Sequence, residues 1–219
     1  MLAKFGGKES DSGQANLFLL VGLTLSLIAI MLLFVRIGNA NSLRTDAQTA
    51  ADAAALAAAG IARDNIAELL SNGELPYSRV YENDAGRRAA EKYAQENGAT
   101  LESIRVSDDS YGNLGNIVRV EVQSTKCQKK LSEDRERHWS DVNCTDENPD
   151  SAHVGNAAAI AKAVVPDCDY AFSLDSSELV GVRCAGETVQ SFRHAQTLVV
   201  VQIAAEEGQY IYKPIDPTA

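Results

Sequence analysis

Four cysteines are the residues of this sequence with the most definite chemistry. They are Cys127, Cys144, Cys168 and Cys184, spaced C-x16-C-x23-C-x15-C. Structural zinc sites use closely spaced C-x2-C pairs, which are absent here. An even number of widely spaced cysteines is typical of disulfides in a domain exported to an oxidising compartment. Of the three possible connectivities, we expect Cys127–Cys144 and Cys168–Cys184, because each closes a local loop. In the loop-entropy model each disulfide stabilises the folded domain by about 3 kcal/mol.

Other candidate chemistry is sparse. His138, His153 and His194 are scattered, without the spacing of metal ligands. The acidic stretch Asp108–Asn113 lacks the alternating ligands and terminal Glu of a calcium loop, so we interpret it as a hairpin turn. There is no phosphate-binding glycine loop and no G-x-S-x-G motif. We therefore predict no catalytic residue, no cofactor and no metal site; a surface enzyme that uses a thiol or a metal is the weakest alternative.

The element that must position the exported part is an apolar segment near the N-terminus. Leu17–Val35 holds nineteen uncharged residues, fourteen of them Leu, Ile, Val or Phe. At 1.5 Å per residue the segment covers roughly 28 Å, close to the hydrocarbon thickness of a bilayer. A cleavable signal peptide is the alternative, because Gly38-Asn39-Ala40 is a small-x-small triplet. The length of the apolar core and the position of Arg36 before that triplet favour a permanent anchor.

The orientation follows from the cysteines, since the flanking basic residues are nearly balanced. We predict a cytoplasmic tail over residues 1–14, a transmembrane helix over 15–36, and an extracytoplasmic part over 37–219. Residues 1–36 carry a balance of +1, so the net charge of −10 leaves −11 for the remainder. An acidic exterior disfavours nucleic acid and anionic lipid headgroups as partners.

The helix is predicted to continue beyond the membrane, because no proline interrupts the chain before Pro76. Over residues 37–72 a polar stripe of Arg44, Gln48 and Asp52 accompanies a dense run of alanine, the best helix former. The segment is either a solvated stalk or a helix with one face packed on the exported domain or on another chain. The residues predicted to pack or to mediate assembly are Gly22, Ser26, Ala47, Ala50, Ala51, Ala54, Ala57, Ala58 and Ile61.

Residues 73–219 are predicted to form one α+β domain, because a helix precedes a series of strands. With one Trp and five Phe in the chain, its core must use mainly Ala, Val, Leu and Ile. The expected elements are a helix over Arg79–Glu96, whose apolar face is Val80, Ala89, Ala90, Tyr93 and Ala94, a hairpin of Ser103–Ser107 with Asn116–Ser124, and strands at Tyr170–Leu174, Glu178–Cys184 and Thr197–Ala204. His153–Val165 fits a helix or a strand.

Two sequence blocks carry a family resemblance. Gly13-Gln14-Ala15 precedes the apolar segment, and Ala47–Ala59, with Gln48 and Asp52, follows it. In this order the blocks resemble the N-terminal region of the TadE/TadG-like Flp (tight adherence) pilus assembly proteins, over roughly residues 11–62. We expect a TadG-like member of this family, for the reason given by Phe18 below.

The resemblance implies a pilin-like layout: a helix half in the membrane and half packed on an extracytoplasmic domain with a mostly antiparallel sheet. It also implies pilus platform proteins and other pseudopilins as partners, besides the lipid bilayer, and self-association through the N-terminal helix. Family members that prepilin peptidase processes are cut after a Gly and carry a Glu five residues into the mature chain. With Gly13 at the cut, Phe18 occupies the Glu position.

A buried Glu would neutralise the new α-amine of a neighbouring subunit inside the bilayer, where an unpaired charge costs several kcal/mol. Phe18 cannot do so, and we therefore expect an unprocessed accessory component of Flp pilus assembly. The alternative from another class is a single-pass receptor or ligand-binding domain on a helical stalk.

Overall fold

The structure is a computed structural model that describes residues 11–75, 80–81, 83–108, 115–129, 142–143, 152–173, 179–204 and 213–214. Its elements in chain order are α1 (Asp11–Ser71), α2 (Asn83–Glu96), β1 (Ala99–Ser107), β2 (Ile117–Lys129), β3 (Val142–Asn143), β4 (Ala152–Val164), β5 (Cys168–Phe172), β6 (Leu179–Cys184), β7 (Glu187–Thr188), α3 (Phe192–Leu198), β8 (Val200–Ile203) and β9 (Lys213–Pro214). The predicted α+β class, with a long N-terminal helix followed by antiparallel sheet, is confirmed.

Helix α1 is a single unbroken helix of 61 residues, about 90 Å long. It begins at Asp11, inside the segment predicted as a tail. It ends where Gly73 adopts φ = +75°, and the Glu74 N–H donates to the Leu69 carbonyl at 2.8 Å. This hydrogen bond belongs to a glycine-terminated helix end, which satisfies carbonyls that the helix itself leaves without partners.

Helix α2 is shorter than predicted and buries a different face. It begins at Asn83 rather than Arg79, and the buried Val80 lies before it. Gly86, Ala90 and Ala94 are its buried residues, whereas Tyr93 is 45% exposed. The prediction that Tyr93 belongs to the apolar face was therefore wrong: small residues four apart let α2 approach α1 closely, and the tyrosine points outward.

The large sheet has six strands in the order β8-β4-β2-β1-β9, with β3 paired to the end of β2. All of its pairings are antiparallel, and β1 with β2 forms the predicted hairpin in a longer version. The segment that fitted either period is strand β4, which lies between β2 and β8. Alanine fills most positions on both faces between residues 157 and 163, which removes the alternation that would have identified it as a strand.

A second sheet, β5-β6-β7, and helix α3 complete the described part. Helix α3 was not predicted; it begins after Ser191, whose side-chain oxygen accepts the His194 N–H at 3.3 Å. Because Thr197 and Leu198 end α3, the strand predicted over Thr197–Ala204 is reduced to β8. Of the predicted acidic turn only Asp108 is described, and its carboxylate accepts the Gly115 N–H at 3.0 Å.

Candidate functional site

Helix α1 divides into two halves with opposite environments. Large apolar side chains from Leu17 to Val35 are exposed, for example Phe18 at 72% and Met31 at 66%. By length and composition, α1 is the one described helix that could cross a membrane. From Leu43 onward, one side of the same helix is buried by the sheet and by the other helices. The helix therefore joins a candidate membrane span directly to the core of the domain.

We call the buried side of the second half the docking face. It consists of Leu43, Ala47, Ala50, Ala51, Ala54, Ala55, Ala58, Ala59, Ala62, Ile66, Ala67 and Leu70, all at most 3% exposed. Steps of three and four residues place these side chains on one stripe. The core opposite them is built mainly from Val and Ala of β2 and β4, in agreement with the scarcity of aromatic residues in the sequence.

Most of the residues predicted to pack lie in the docking face, and the others do not. Ala47, Ala50, Ala51, Ala54 and Ala58 are at most 1% exposed. Ala57 and Ile61 are only half-buried and lie outside the core. They are four residues apart and so share a neighbouring stripe of the helix, beside the docking face. Gly22 and Ser26 lie in the exposed half, and a Cβ on Gly22 would meet nothing within 4 Å.

Sequence reasoning missed the second half of the docking face. Ala55, Ala59, Ala62 and Ile66 are fully buried and continue the same stripe toward the end of α1. The signal that could have found them was their succession after Ala51 in steps of three and four residues, which a run of alanine on all sides obscured. The burial of Ile66 and Leu70 shows that the stripe extends to the last turn of the helix.

Gly155 of β4 marks the closest approach of the sheet to α1. A Cβ at this position would lie 2.6 Å from the Leu43 carbonyl oxygen and 3.4 Å from the Ala47 Cβ. The backbone of the helix therefore rests on the backbone of the strand, which only glycine allows. This contact fixes the membrane-proximal end of the docking face.

Polar contacts extend the docking to the edge of the apolar segment. Gln128, near the end of β2, donates from Nε2 to the Arg36 carbonyl oxygen at 3.5 Å. Gln48 of the resemblance motif donates to Asp52 at 2.8 Å and approaches the Ala158 carbonyl of β4 at 3.4 Å. The sheet therefore reaches the residue that ends the apolar run, and the alanine-rich segment is not a solvated stalk.

The distal end of the docking face is held by two further contacts. Asn65 donates from Nδ2 to the Val80 carbonyl at 2.7 Å, and Gln196 of α3 donates to Asp64 at 2.8 Å. Together with the membrane-proximal contacts, these hydrogen bonds fix the position of α1 along the sheet, which an alanine surface alone specifies weakly.

Tyr81 fills the space between α2 and the start of β2. It is 2% exposed, and a Cβ on Gly86 would collide with its ring, while one on Gly115 would lie 3.0 Å from its Cβ. Burial raises the pKa of the Tyr81 hydroxyl far above its usual value, and the nearby Arg87 lowers it only in part. Tyr81 is therefore a neutral packing residue.

An ion-pair group lies on the face of the sheet turned away from α1. Ser103 donates to Glu121 at 2.6 Å, Arg119 pairs with the same carboxylate, and Arg105 lies 3.9 Å from it. The Ser103 hydrogen bond, followed by the Arg119 hydrogen bond, lowers the pKa of Glu121, against a smaller opposing effect of desolvation.

The Glu121 group predicts an acid-dependent loss of stability. A depressed folded-state pKa means that the stabilisation is complete above the unfolded value of about 4.5 and disappears as the pH falls through the folded value. We expect Glu121→Gln to lose stability near pH 7 and to depend less on pH between roughly 5 and 3 than the wild type. Urea unfolding at a series of pH values measures this. Glu102→Gln, an exposed carboxylate of β1, is the control, and parallel curves for wild type and Glu121→Gln would contradict the assignment.

Cys168 and Cys184 form a disulfide that links β5 to β6. Cys127 is a buried free thiol in the structure, and its predicted partner Cys144 lies outside the described residues. The register of β3 bears on this pair: Val142 lies opposite Cys127, and Cys144 follows two residues later.

The second disulfide stays a prediction that mass spectrometry can check. In protein purified from the oxidising side of the membrane, we expect a non-reduced peptide pair that joins Cys127 to Cys144, besides the Cys168–Cys184 pair. Alkylation before reduction should label neither of the first two thiols. Labelling of Cys127 in the unfolded, non-reduced chain would show that it is free.

The remaining sequence candidates form no common site in the described part of the chain. His194 lies 3.1 Å from Glu187 at the surface, while the His138 side chain and the His153 side chain are outside the described residues. Within the described ranges no three His, Cys, Asp or Glu residues converge as metal ligands would. The surface of α1 is therefore the candidate functional site.

The fold and this surface define a class of protein: an α+β domain built on the second half of a single helix whose first half could cross a membrane. Residues 13–63 match the model of the family described as "Putative Flp pilus-assembly TadE/G-like". The match contains the candidate span and most of the docking face, and it makes this segment, less than a quarter of the chain, similar to that of Flp pilus-assembly proteins. Comparison with curated proteins found no match, and comparison with solved structures found none either.

Proposed function

We propose that this protein is a membrane-anchored accessory component of Flp pilus assembly, of the TadG-like type. The observation that carries the proposal is that the matched residues 13–63 coincide with the helix that joins the exposed apolar half to the domain core. The sequence similarity and the most distinctive structural feature thus fall on the same segment.

The proposed arrangement places residues 1–14 in the cytoplasm, 15–36 in the bilayer and 37–219 outside, of which 37–72 continue the helix and 73–219 form the domain. Free energy supports insertion: fourteen large apolar residues each contribute about −0.3 to −0.6 kcal/mol. The disulfide between Cys168 and Cys184 supports an oxidising compartment for the domain.

We further propose that prepilin peptidase does not process this chain into a polymerising subunit. Gly13 and Gln14 belong to the first turns of α1, and Phe18 stands five residues after Gly13. A cleaved chain inside a polymer would leave the Gln14 amine without a carboxylate partner in the bilayer. Sequencing of the mature N-terminus is the test, and a chain that begins at Gln14 would contradict it.

The proposed partners are the lipid bilayer, pilus platform proteins and other pseudopilins, with self-association through α1. Residues such as Gly22 and Ser26 belong to the half of α1 that no described part of the chain covers. The docked alanines, in contrast, are used within the domain. Partners are therefore expected at the exposed half of α1.

Deletion of the gene, followed by electron microscopy of surface pili, tests the assembly role. We expect loss or strong reduction of pili and of adherence, restored by the wild-type gene. Normal pili with unchanged adherence would count against the proposal. No observation on the described residues favours the receptor alternative, and a second function is not put forward.

A further inference from the structure

The stripe of α1 that packs on the sheet continues to the end of the apolar segment. Asn39 and Arg36 precede Leu43 in steps of four and three residues, and both are half-buried. Gln128, near the end of β2, donates to the Arg36 carbonyl oxygen at 3.5 Å. The domain therefore begins where the candidate membrane span ends, and within this described stretch of α1 no solvated linker separates the two.

The thickness of a bilayer places this end of the domain at the lipid headgroups. The headgroup layer adds about 5–7 Å on each side of the hydrocarbon core, which corresponds to roughly three to five residues of a helix. With residues 17–35 in the hydrocarbon core, Arg36 and Asn39 lie in this layer. Because Gln128 contacts Arg36 itself, the end of β2 lies at the same level.

We call this part of the molecule the membrane-proximal end. It consists of residues 36–45 of α1 and of residues 126–129, 142–143 and 152–156, where β3 and the start of β4 pair with the end of β2.

The charged residues of the membrane-proximal end have one sign. It contains Arg36, Arg44, Lys126 and Lys129 and neither Asp nor Glu, although residues 37–219 as a whole carry a net charge of −11. Along α1 the first acidic residue after the apolar segment is Asp46. A locally basic surface in an acidic domain indicates an anionic partner at this place.

We propose that the membrane-proximal end rests on the bilayer surface and that Arg44 and Lys126 bind the phosphates of lipid headgroups. Both side chains are exposed, and both residue types are common ligands of phosphate. The Cα–Cβ bonds of a helix tilt toward its N-terminus, so that Arg44 leans toward the bilayer. The acidic residues elsewhere do not oppose this contact strongly, because electrostatic attraction to a membrane decays within a Debye length.

The contact gives the domain a second attachment to the membrane besides the span, and it fixes how the sheet stands on the bilayer. The inference rests on the membrane anchoring within the proposed function, but not on a role in pilus assembly.

Paramagnetic broadening of lysine signals tests the contact. The full chain, with its lysine amines ¹³C-methylated so that they keep their charge, is placed in nanodiscs of phosphatidylcholine and phosphatidylglycerol, with a nitroxide on some headgroups. We expect the Lys126 signal, identified by its loss in Lys126→Arg, to lose most of its intensity. Lys162 should keep its intensity, because it pairs with Ile117, nine residues before Lys126 on β2 and about 30 Å farther from the bilayer.

Charge reversal tests the binding of phosphate. Arg44→Glu should restore part of the Lys126 signal, whereas Arg88→Glu, at an exposed position of α2, should not. Equal broadening in the wild type and in Arg44→Glu would overturn the phosphate contact, and an unbroadened Lys126 in a chain that co-elutes with nanodiscs would overturn the proposal as a whole. A chain that does not enter nanodiscs would contradict the membrane anchor itself, and with it this proposal.

Discussion

Ala58→Asp should destabilise the protein by about 4 kcal/mol or more, whereas Ala57→Asp should cost less than about 1 kcal/mol. Ala58 is fully buried in the docking face, and Ala57 beside it is half-buried outside the core. A carboxylate at position 58 would either carry an unpaired charge in the core or bind a proton at a pH well above its usual pKa. Both states are unfavourable. At Ala57 the same side chain reaches water, and only its lower helix propensity counts.

The two variants form a matched pair, because they introduce the same side chain one residue apart in the same helix. Chemical unfolding of the full chain in detergent measures the difference. Equal losses of stability would show that the helix does not present one particular side to the sheet. That result would restore the solvated stalk as the better interpretation of residues 37–72.

Gly155→Ala should destabilise the protein by about 1–3 kcal/mol, while Gly60→Ala should stabilise it by up to about 1 kcal/mol. The added methyl group at Gly155 would lie 2.6 Å from the Leu43 carbonyl oxygen, so that the strand and the helix must separate. At Gly60 of α1 the methyl group would meet nothing within 4 Å, and alanine favours the helix.

Opposite signs for one and the same substitution distinguish close backbone packing from a general effect of glycine replacement. Thermal melting of both variants is sufficient. A neutral result at Gly155 would mean that β4 does not approach α1 at Leu43, and the membrane-proximal end of the docking face would then be wrong.

The sequence contained enough information to predict the long helix and the α+β class, because both depend on local patterns. The apolar run before Arg36 and the absence of proline up to Pro76 are read directly along the chain. The hairpin of β1 and β2 was also predictable, since both strands alternate along much of their length. The structure lengthens these strands without changing their pairing.

The details of packing could not be predicted, for physical reasons that differ from residue to residue. Ala57 and Ala58 are identical side chains, and only the tertiary contact decides which of them is buried. Strand β4 has alanine at most positions on both faces between residues 157 and 163 and so has no clear alternating pattern. Helix α3 has seven residues, too few for a periodic signal, and it depends on the Ser191 cap and on contact with α1. Gly155 gave no signal, because its role depends on a helix more than a hundred residues earlier.

Hydrogen exchange of the α1 amides, in the full chain held in a lipid nanodisc, tests most directly whether the second half of α1 belongs to the domain core. The structure predicts that residues 43–70 exchange as slowly as β2 and β4, because all of them open only when the domain unfolds. Exchange of residues 43–70 at the rate of an isolated solvated helix, while β2 and β4 stay protected, would contradict the account.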